Sequence, residues 1–104
     1  MITTIVNFPL PDNMSLPEFK SRMMTTVPRY QAMAGLLRKN YIYDGVRHIG
    51  GGAYTFDTRA NAEAAFSAEF VKVVTERYGK PEISHFETPV VVDNEVGTVL
   101  EPSQ

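Results

Sequence analysis

The chain has 104 residues and 43% hydrophobic content, which predict a single domain over residues 1–104 with one modest core. Its net charge of -2 and its scattered basic residues exclude the cationic footprint of a protein that binds nucleic acid or an anionic membrane. The absence of cysteine excludes disulfides, zinc-thiolate sites and a thiol nucleophile. Without a secretory leader pattern or a long apolar run, we expect a cytoplasmic protein with neither nucleic-acid nor membrane partners.

The first two predicted elements are a strand and a capped helix. Apolar and threonine residues over 2–8 predict the strand, which a proline-rich loop ends. Ser15 is followed by Glu18, and this spacing predicts a capping box at the start of a helix. Pro28 should end that helix, because proline lacks the amide hydrogen and disfavours helical geometry at the residue before it.

A β-hairpin is predicted next. Residues 36–43 are rich in aromatic and branched side chains, and the Asp-Gly pair at 44–45 is typical of a two-residue turn into a strand over 46–56. That turn would place Tyr41 opposite His48. Strict alternation from this register puts one set of ring-bearing side chains on a single face: Tyr41, Tyr43, His48, Tyr54 and Phe56.

The second half of the chain predicts a long helix and a fourth strand. Helical periodicity begins at Thr58, with a break near Ser67, and Gly79 is a typical C-terminal cap. A strand is predicted over 83–92. Residues 93–104 have weak periodicity, which predicts a C-terminal arm or a loose tail.

The order of these elements predicts the fold class. Strand, helix, strand, strand, helix, strand is the split β-α-β (βαββαβ) arrangement, a ferredoxin-like α+β fold with a four-stranded antiparallel sheet. Two helices can cover only one face of such a sheet, yet adjacent strand positions such as Leu36 and Leu37 are both apolar. We therefore expect the second face to pack against another copy of the chain, forming a homodimer.

Three consecutive glycines lie at the start of the aromatic strand. Gly50 and Gly52 fall on the aromatic face, where missing side chains would leave a hollow ringed by phenols and an imidazole. The alternative is a β-bulge, or close packing of the sheet under a helix. If the hollow binds a ligand, His48 could act as a general base and Tyr54 could donate a hydrogen bond to a substrate oxygen.

A metal site is not expected. His48 and His85 are far apart in the chain, and neither has the neighbouring ligand spacing of a zinc or iron motif. The serines lack the glycine-flanked context of a nucleophile elbow, so a serine hydrolase is not expected either.

Four segments carry a resemblance to a known family. They are AGLLRKNY at 34–41, GGAYTF at 51–56, TRANAEA at 58–64 and RYG at 77–79. With the hairpin between them, they make the chain similar to the small YdhR-type monooxygenases of the dimeric α+β barrel superfamily. That superfamily also contains the antibiotic-biosynthesis monooxygenases. The resemblance extends to about residue 93.

The resemblance implies a dimeric α+β barrel in which each subunit has a cavity between its sheet and its helices. It implies a monooxygenase that needs no cofactor and oxidises a small aromatic or polyketide-like compound with molecular oxygen. His48 and Tyr54 are then the expected catalytic residues. The expected substrate-binding residues are Tyr41, Tyr43, Gly50, Gly52 and Phe56.

Two other functions stay open. One is a non-catalytic dimer of the same fold that binds a small molecule or acts in a stress response, since one fold hosts many functions. The other is haem binding, as in some members of the superfamily, with His48 or His85 as the axial ligand.

Overall fold

Strands and helices follow each other in the predicted order, although each predicted helix is divided in two. The structure, a computed structural model, describes residues 1–102. The elements are β1 (Ile2–Pro9), α1 (Leu16–Met24), α2 (Val27–Gln31), β2 (Leu36–Asp44), β3 (Ile49–Phe56), α3 (Arg59–Ala65), α4 (Ala68–Arg77), β4 (Glu82–Glu87), β5 (Val91–Asp93) and β6 (Thr98–Leu100). The first four strands of the chain form one antiparallel sheet in the order β2-β3-β1-β4. The predicted ferredoxin-like α+β fold is confirmed.

Strand β1 is the centre of the sheet, because it pairs with both β3 and β4. Its side chains alternate strictly, and Ile2, Thr4 and Val6 are buried on the face that the helices cover. Phe56 of β3 and Phe19 of α1 join the same core. This alternation is what a sheet with helices on one face requires.

The helix starts follow the sequence signals. The Glu18 amide donates to the Ser15 hydroxyl at 3.2 Å, so Ser15 is the N-cap of α1 as predicted. Ser67 caps α4 in the same way through the Phe70 amide, which explains the predicted break there. Pro28 does not end α1, which stops earlier, at Met24. It lies in the first turn of α2, where a missing amide hydrogen costs nothing.

The hairpin turn is longer than predicted. Residues 45–48 form the loop, and Asp44 pairs with Ile49 across it. The Asp44 carboxylate accepts hydrogen bonds from the Val46 amide at 2.9 Å and from the Arg47 amide at 3.0 Å. Arg47 Nε donates to the other carboxylate oxygen at 2.8 Å. This side-chain turn stabilises a four-residue loop in place of the tight two-residue turn.

The register between β2 and β3 is therefore shifted by four positions from the predicted one. Tyr41 lies opposite Gly52, not opposite His48, and Lys39 lies opposite Tyr54. Because the shift is an even number, the two faces keep their predicted membership from Arg38 onwards in β2. The register is irregular between Leu36 and Arg38, and Leu36 pairs with Phe56 and packs against the core. His48 leaves the strand altogether and lies in the loop.

The C-terminal region is a small hairpin rather than a loose tail. The predicted strand over 83–92 is divided, since β4 ends at Glu87 and β5 pairs with β6 in a separate two-stranded sheet. The Arg38 guanidinium group of β2 and the Glu95 carboxylate of the hairpin turn are 3.8 Å apart. Positions 103 and 104 of the predicted tail lie outside the described residues.

The second face of the sheet is left uncovered by helices within residues 1–102. We call it the open face, and it carries Ile5, Ile42 and Phe86. The Phe86 side chain is 55% exposed. In the same part of the chain the longest helix has 10 residues, and none has the apolar length of a membrane span.

Candidate functional site

A cavity of about 460 Å³ lies between the sheet and the helices α1, α2 and α4. Its lining residues are Phe8, Arg22, Met23, Thr25, Thr26, Arg29, Tyr30, Lys39, Gly51, Tyr54, Phe70, Val73, Val74, Arg77 and Tyr78. Phe70 and Val74 are buried core residues, so one wall is apolar. The volume falls in the range of small-molecule sites, roughly 300–1,000 Å³.

Lys39 lies in a cage of three tyrosine rings at the wall of this cavity. Its Nζ is 3.3 Å from the centroid of the Tyr30 ring, 3.8 Å from that of Tyr41 and 4.7 Å from that of Tyr54. The register places Tyr54 directly across from Lys39, and α2 brings Tyr30 over both. We call this arrangement the tyrosine cage. In the described part of the chain, no carboxylate forms an ion pair with Lys39.

The electrostatic environment shifts the Lys39 amine towards its neutral form. Burial, and to a smaller extent the positive charge of Arg29, lower the pKa of Lys39 to about 7. The ring faces act in the opposite sense, since the aromatic quadrupole attracts the ammonium. A pKa near neutrality means that both protonation states of Lys39 are populated under ordinary conditions.

Tyr30 and Tyr54 of the tyrosine cage remain neutral phenols. Burial is the main cause that raises the pKa of Tyr54, and the neighbouring Tyr30 raises it further. Burial also raises the pKa of Tyr30, while the interaction with the Tyr54 hydroxyl partly offsets the rise. Tyr54 is only 3% exposed, and its ring packs edge-on against the Phe66 ring, with 4.9 Å between the two ring centroids. These hydroxyl groups can donate hydrogen bonds, but they are poor bases at neutral pH.

Only one of the predicted catalytic residues lines the cavity, and it is Tyr54. His48 lies in the hairpin loop with a φ of 55°, in the left-handed region that histidine tolerates better than most residues. Its Nε2 is 3.9 Å from the Asp12 carboxylate, and its side chain is 41% exposed. The placement of His48 beside Tyr41 was wrong, because the Asp44 turn removes it from the strand.

The predicted aromatic walls divide between three environments. Tyr41 belongs to the cage and also lines a more open groove of about 510 Å³ next to the cavity. Its hydroxyl is hydrogen-bonded to Thr26 Oγ1 at 2.5 Å. The Tyr43 hydroxyl donates to the Met14 carbonyl at 2.7 Å, and Phe56 is fully buried in the core. Neither Tyr43 nor Phe56 is among the cavity residues.

The glycine run makes room for the chain itself. A Cβ on Gly50 would come within 2.6 Å of the Phe19 ring, and one on Gly52 within 2.7 Å of the Tyr54 ring. A Cβ on Gly51 would collide with the Val6 carbonyl oxygen of the neighbouring strand. Close packing under a helix, the alternative to a ligand hollow, therefore describes Gly50, while Gly51 and Gly52 are packed against other parts of the sheet. Gly52 acts on the site indirectly, since it lets the Tyr54 ring lie flat against the sheet.

The second histidine is also away from the cavity. His85 Nδ1 is hydrogen-bonded to Thr4 Oγ1 at 2.7 Å, and its ring centroid is 5.9 Å from that of Phe66. Within residues 1–102, no group of three His, Cys, Asp or Glu side chains is placed to hold a metal ion.

Known proteins share the architecture but little sequence. No family model and no curated protein matches the chain. A crystal structure of a protein of unknown function from Nitrosomonas europaea is similar with a TM-score of 0.67 and 14% identity, covering 84% of this chain and 87% of that one. The crystal structure of a candidate antibiotic biosynthesis monooxygenase from Deinococcus radiodurans has a TM-score of 0.62 and 11% identity, covering 89% of this chain and 97% of that one.

The chain shares its ferredoxin-like α+β fold with both structures. At such low identity this likeness concerns the fold alone, because the ferredoxin-like scaffold hosts many chemistries. The cavity of this fold is where Lys39 and Tyr54 meet.

Lys39 is the functional candidate that sequence reasoning missed. Lys39 is two residues from Tyr41, so the predicted alternation already put it on the aromatic face. A lysine at an inward position of a strand is unusual, because a buried charge is costly unless it is compensated. The inward strand position of Lys39 was therefore the signal in the sequence for this site. Tyr30, the other new member, had no signal, since the sequence did not predict α2.

Proposed function

We propose that the cavity is the substrate site of an oxygenase that needs no cofactor, with Lys39 as its general base. The substrate is a small aromatic or polyketide-like compound, and molecular oxygen is the oxidant. The observation that carries this proposal is the position of the Lys39 amine, with its pKa lowered to about 7, among three phenol rings at the cavity wall. A base with a pKa near the working pH is efficient in general base catalysis, which contributes roughly 10²–10⁴-fold.

The chemistry uses an acidic C–H or O–H group of the substrate. The neutral Lys39 amine removes a proton from an anthrone-type CH₂ or from a phenol, and the resulting anion transfers an electron to oxygen. For the CH₂ case the balance is R₂CH₂ + O₂ → R₂C=O + H₂O, so no further reductant is needed. The phenols of Tyr30 and Tyr54 act as hydrogen-bond donors to the substrate oxygen, where negative charge develops.

The shape of the cavity supports this assignment over haem binding. The apolar wall formed by Phe70 and Val74 suits a flat aromatic ring and keeps water from the anion. Neither His48 nor His85 lines the cavity, so an axial ligand for haem has no support there. The finer assignment to the YdhR-type monooxygenases rests on the four sequence segments and stays part of this proposal.

We also propose that the open face of the sheet pairs with the same face of a second copy. The open face carries Ile5, Ile42 and Phe86 on three of its strands, and no helix covers it within residues 1–102. The C-terminal hairpin adds further exposed apolar side chains, among them Val92 and Val99, each 65% exposed. A two-fold axis would let one apolar surface cover its own copy.

The test has two stages. A thermal-shift screen against phenols, quinols, anthrone, flavin and haem identifies ligands, because a ligand that binds only the folded state raises the melting temperature. Oxygen uptake is then measured with an electrode for each ligand found. We expect a shift with an anthrone or phenol and uptake of one O₂ per substrate. Binding without uptake would instead support the non-catalytic alternative, and a shift with haem alone would support the haem alternative.

A further inference from the structure

The charges around the cavity point to the chemistry of its ligand. Four of its lining residues are basic, and none is acidic: Arg22, Arg29, Lys39 and Arg77. The whole chain has a net charge of -2, with 12 acidic and 10 basic residues. A cationic cavity in an acidic protein is therefore a local arrangement and does not follow from the overall composition.

The arginines have few partners of their own. In the described part of the chain, neither Arg29 nor Arg77 forms an ion pair, and Arg22 reaches Glu18 only at 3.6 Å on an exposed helix surface. Three helices bring them together, since each arginine lies in the last turn of α1, α2 or α4. Like charges that line one cavity repel each other, and a bound anion would relieve that repulsion.

The cavity is also divided by polarity. Arg29 and Arg77 are exposed, so they lie at its mouth, whereas Phe70 and Val74 are buried and form the inner wall. A ligand that fits both parts has a flat apolar ring and an anionic group on one side. A guanidinium group is suited to the anionic part, because it can donate two parallel hydrogen bonds to one carboxylate.

We infer that the substrate of this site is an aromatic compound that carries a carboxylate, which the arginines at the mouth bind while the ring enters the apolar part of the cavity. This inference rests on the proposed function only for the location of the substrate site. It adds a specificity that the tyrosine cage alone does not supply, since the cage can accept a neutral phenol as well.

The test compares two ligands that share one ring system and differ in whether the attached group is an anionic carboxylate or a neutral amide. Binding of 2-naphthoate and of 2-naphthamide is measured by calorimetry at low ionic strength, where exposed charges are least screened. We expect the carboxylate to bind about tenfold more tightly than the amide, as one charge-assisted contact would give. In Arg29→Met and Arg77→Met this ratio should fall towards one, while Arg59→Met, a matched control in α3 away from the cavity, should keep it.

The ratio, rather than the affinity, keeps the test independent of small changes in stability. Equal binding of the two ligands by the unmodified protein, binding of neither, or a ratio that survives both arginine substitutions would overturn the inference. Failure of the proposed function has a different signature. If the carboxylate preference holds and no aromatic compound causes oxygen uptake, the carboxylate site stands and the oxygenase does not.

Discussion

Lys39 Nζ lies 3.3 Å from the centroid of the Tyr30 ring, yet burial lowers the pKa of this amine to about 7. The ring face favours the ammonium form, while the loss of hydration and the charge of Arg29 favour the neutral form. The protein therefore holds a lysine that can accept a proton at neutral pH, next to a cavity large enough for an aromatic ligand.

Replacing Lys39 by methionine should stabilise the protein below neutral pH. The folded-state pKa of about 7 is below the ordinary lysine value of 10.5, so between these values the unfolded chain binds more protons than the folded one. The free energy of unfolding of the unmodified protein should then rise with pH across this window. Below pH 7 the full cost of burying the charged Lys39 amine applies. We expect Lys39→Met to raise the melting temperature at pH 6 by about 4 °C or more.

The measurement is denaturation at a series of pH values from 6 to 10, with Lys72→Met as a control that removes an exposed lysine of α4. The difference in melting temperature between Lys39→Met and the unmodified protein should become smaller as the pH rises. A variant that is less stable at pH 6, or that keeps the original pH slope, would show that Lys39 is an ordinary charged lysine.

Tyr54→Phe should separate catalysis from stability. The substitution keeps the ring that packs against Phe66 and removes only the hydroxyl group. If that group donates to the substrate oxygen, the rate of oxygen uptake should fall roughly 10²-fold, as removal of one such donor does in other enzymes. The loss in free energy of unfolding should stay below about 1.5 kcal/mol. Unchanged uptake with a large loss of stability would make the hydroxyl structural.

The glycine run predicts a ranked series of alanine substitutions. Gly52→Ala should cost about 1–3 kcal/mol, because the Tyr54 ring that it meets can move. Gly51→Ala should cost more, because it meets the backbone of β1, which cannot move without breaking the sheet. Gly97→Ala meets no neighbour and should cost only about 1 kcal/mol for its left-handed backbone. Urea denaturation measures all three, and the reverse order at positions 51 and 52 would contradict the packing described here.

The open face predicts a dimer that a single charge can dissociate. Sedimentation of the unmodified protein should give the mass of two chains, falling to one chain at high dilution. Ile42→Glu puts a carboxylate on the open face and should give a monomer, because an unpaired charge in an apolar interface is costly. Val46→Glu is the control, since Val46 is 89% exposed in the hairpin loop. A monomer at every concentration of the unmodified protein would refute the pairing of the sheets.

Local signals in the sequence predicted the four strands of the sheet, the capped helix starts and most of the sheet faces. Ser15 and Ser67 each cap a helix through one nearby amide, so their roles depend on only a few residues. Side-chain alternation assigned Tyr41 and Tyr54 to the same face even though the register was wrong, because a shift of four positions preserves parity.

The site itself depended on contacts that no local pattern contains. The Asp44 carboxylate set the length of the loop and carried His48 out of the strand. Tyr30 reaches the cage from a five-residue helix whose first turn contains the proline that predicted a helix end. Lys39 had the correct parity, but its role became visible only when Tyr30 and the cavity were placed beside it.

The central claim, that Lys39 is the base of an oxygenase, is tested most directly by oxygen uptake with anthrone as a function of pH. The unmodified protein should consume one O₂ per anthrone, at a catalysed rate that rises through a pKa of about 7 and then levels off. At the plateau, the catalysed rate of Lys39→Met should be at least about 10²-fold lower than that of the unmodified protein, while Lys72→Met should keep the full rate. Uptake by Lys39→Met at the rate of the unmodified protein, or no uptake above the buffer rate by either, would contradict the account.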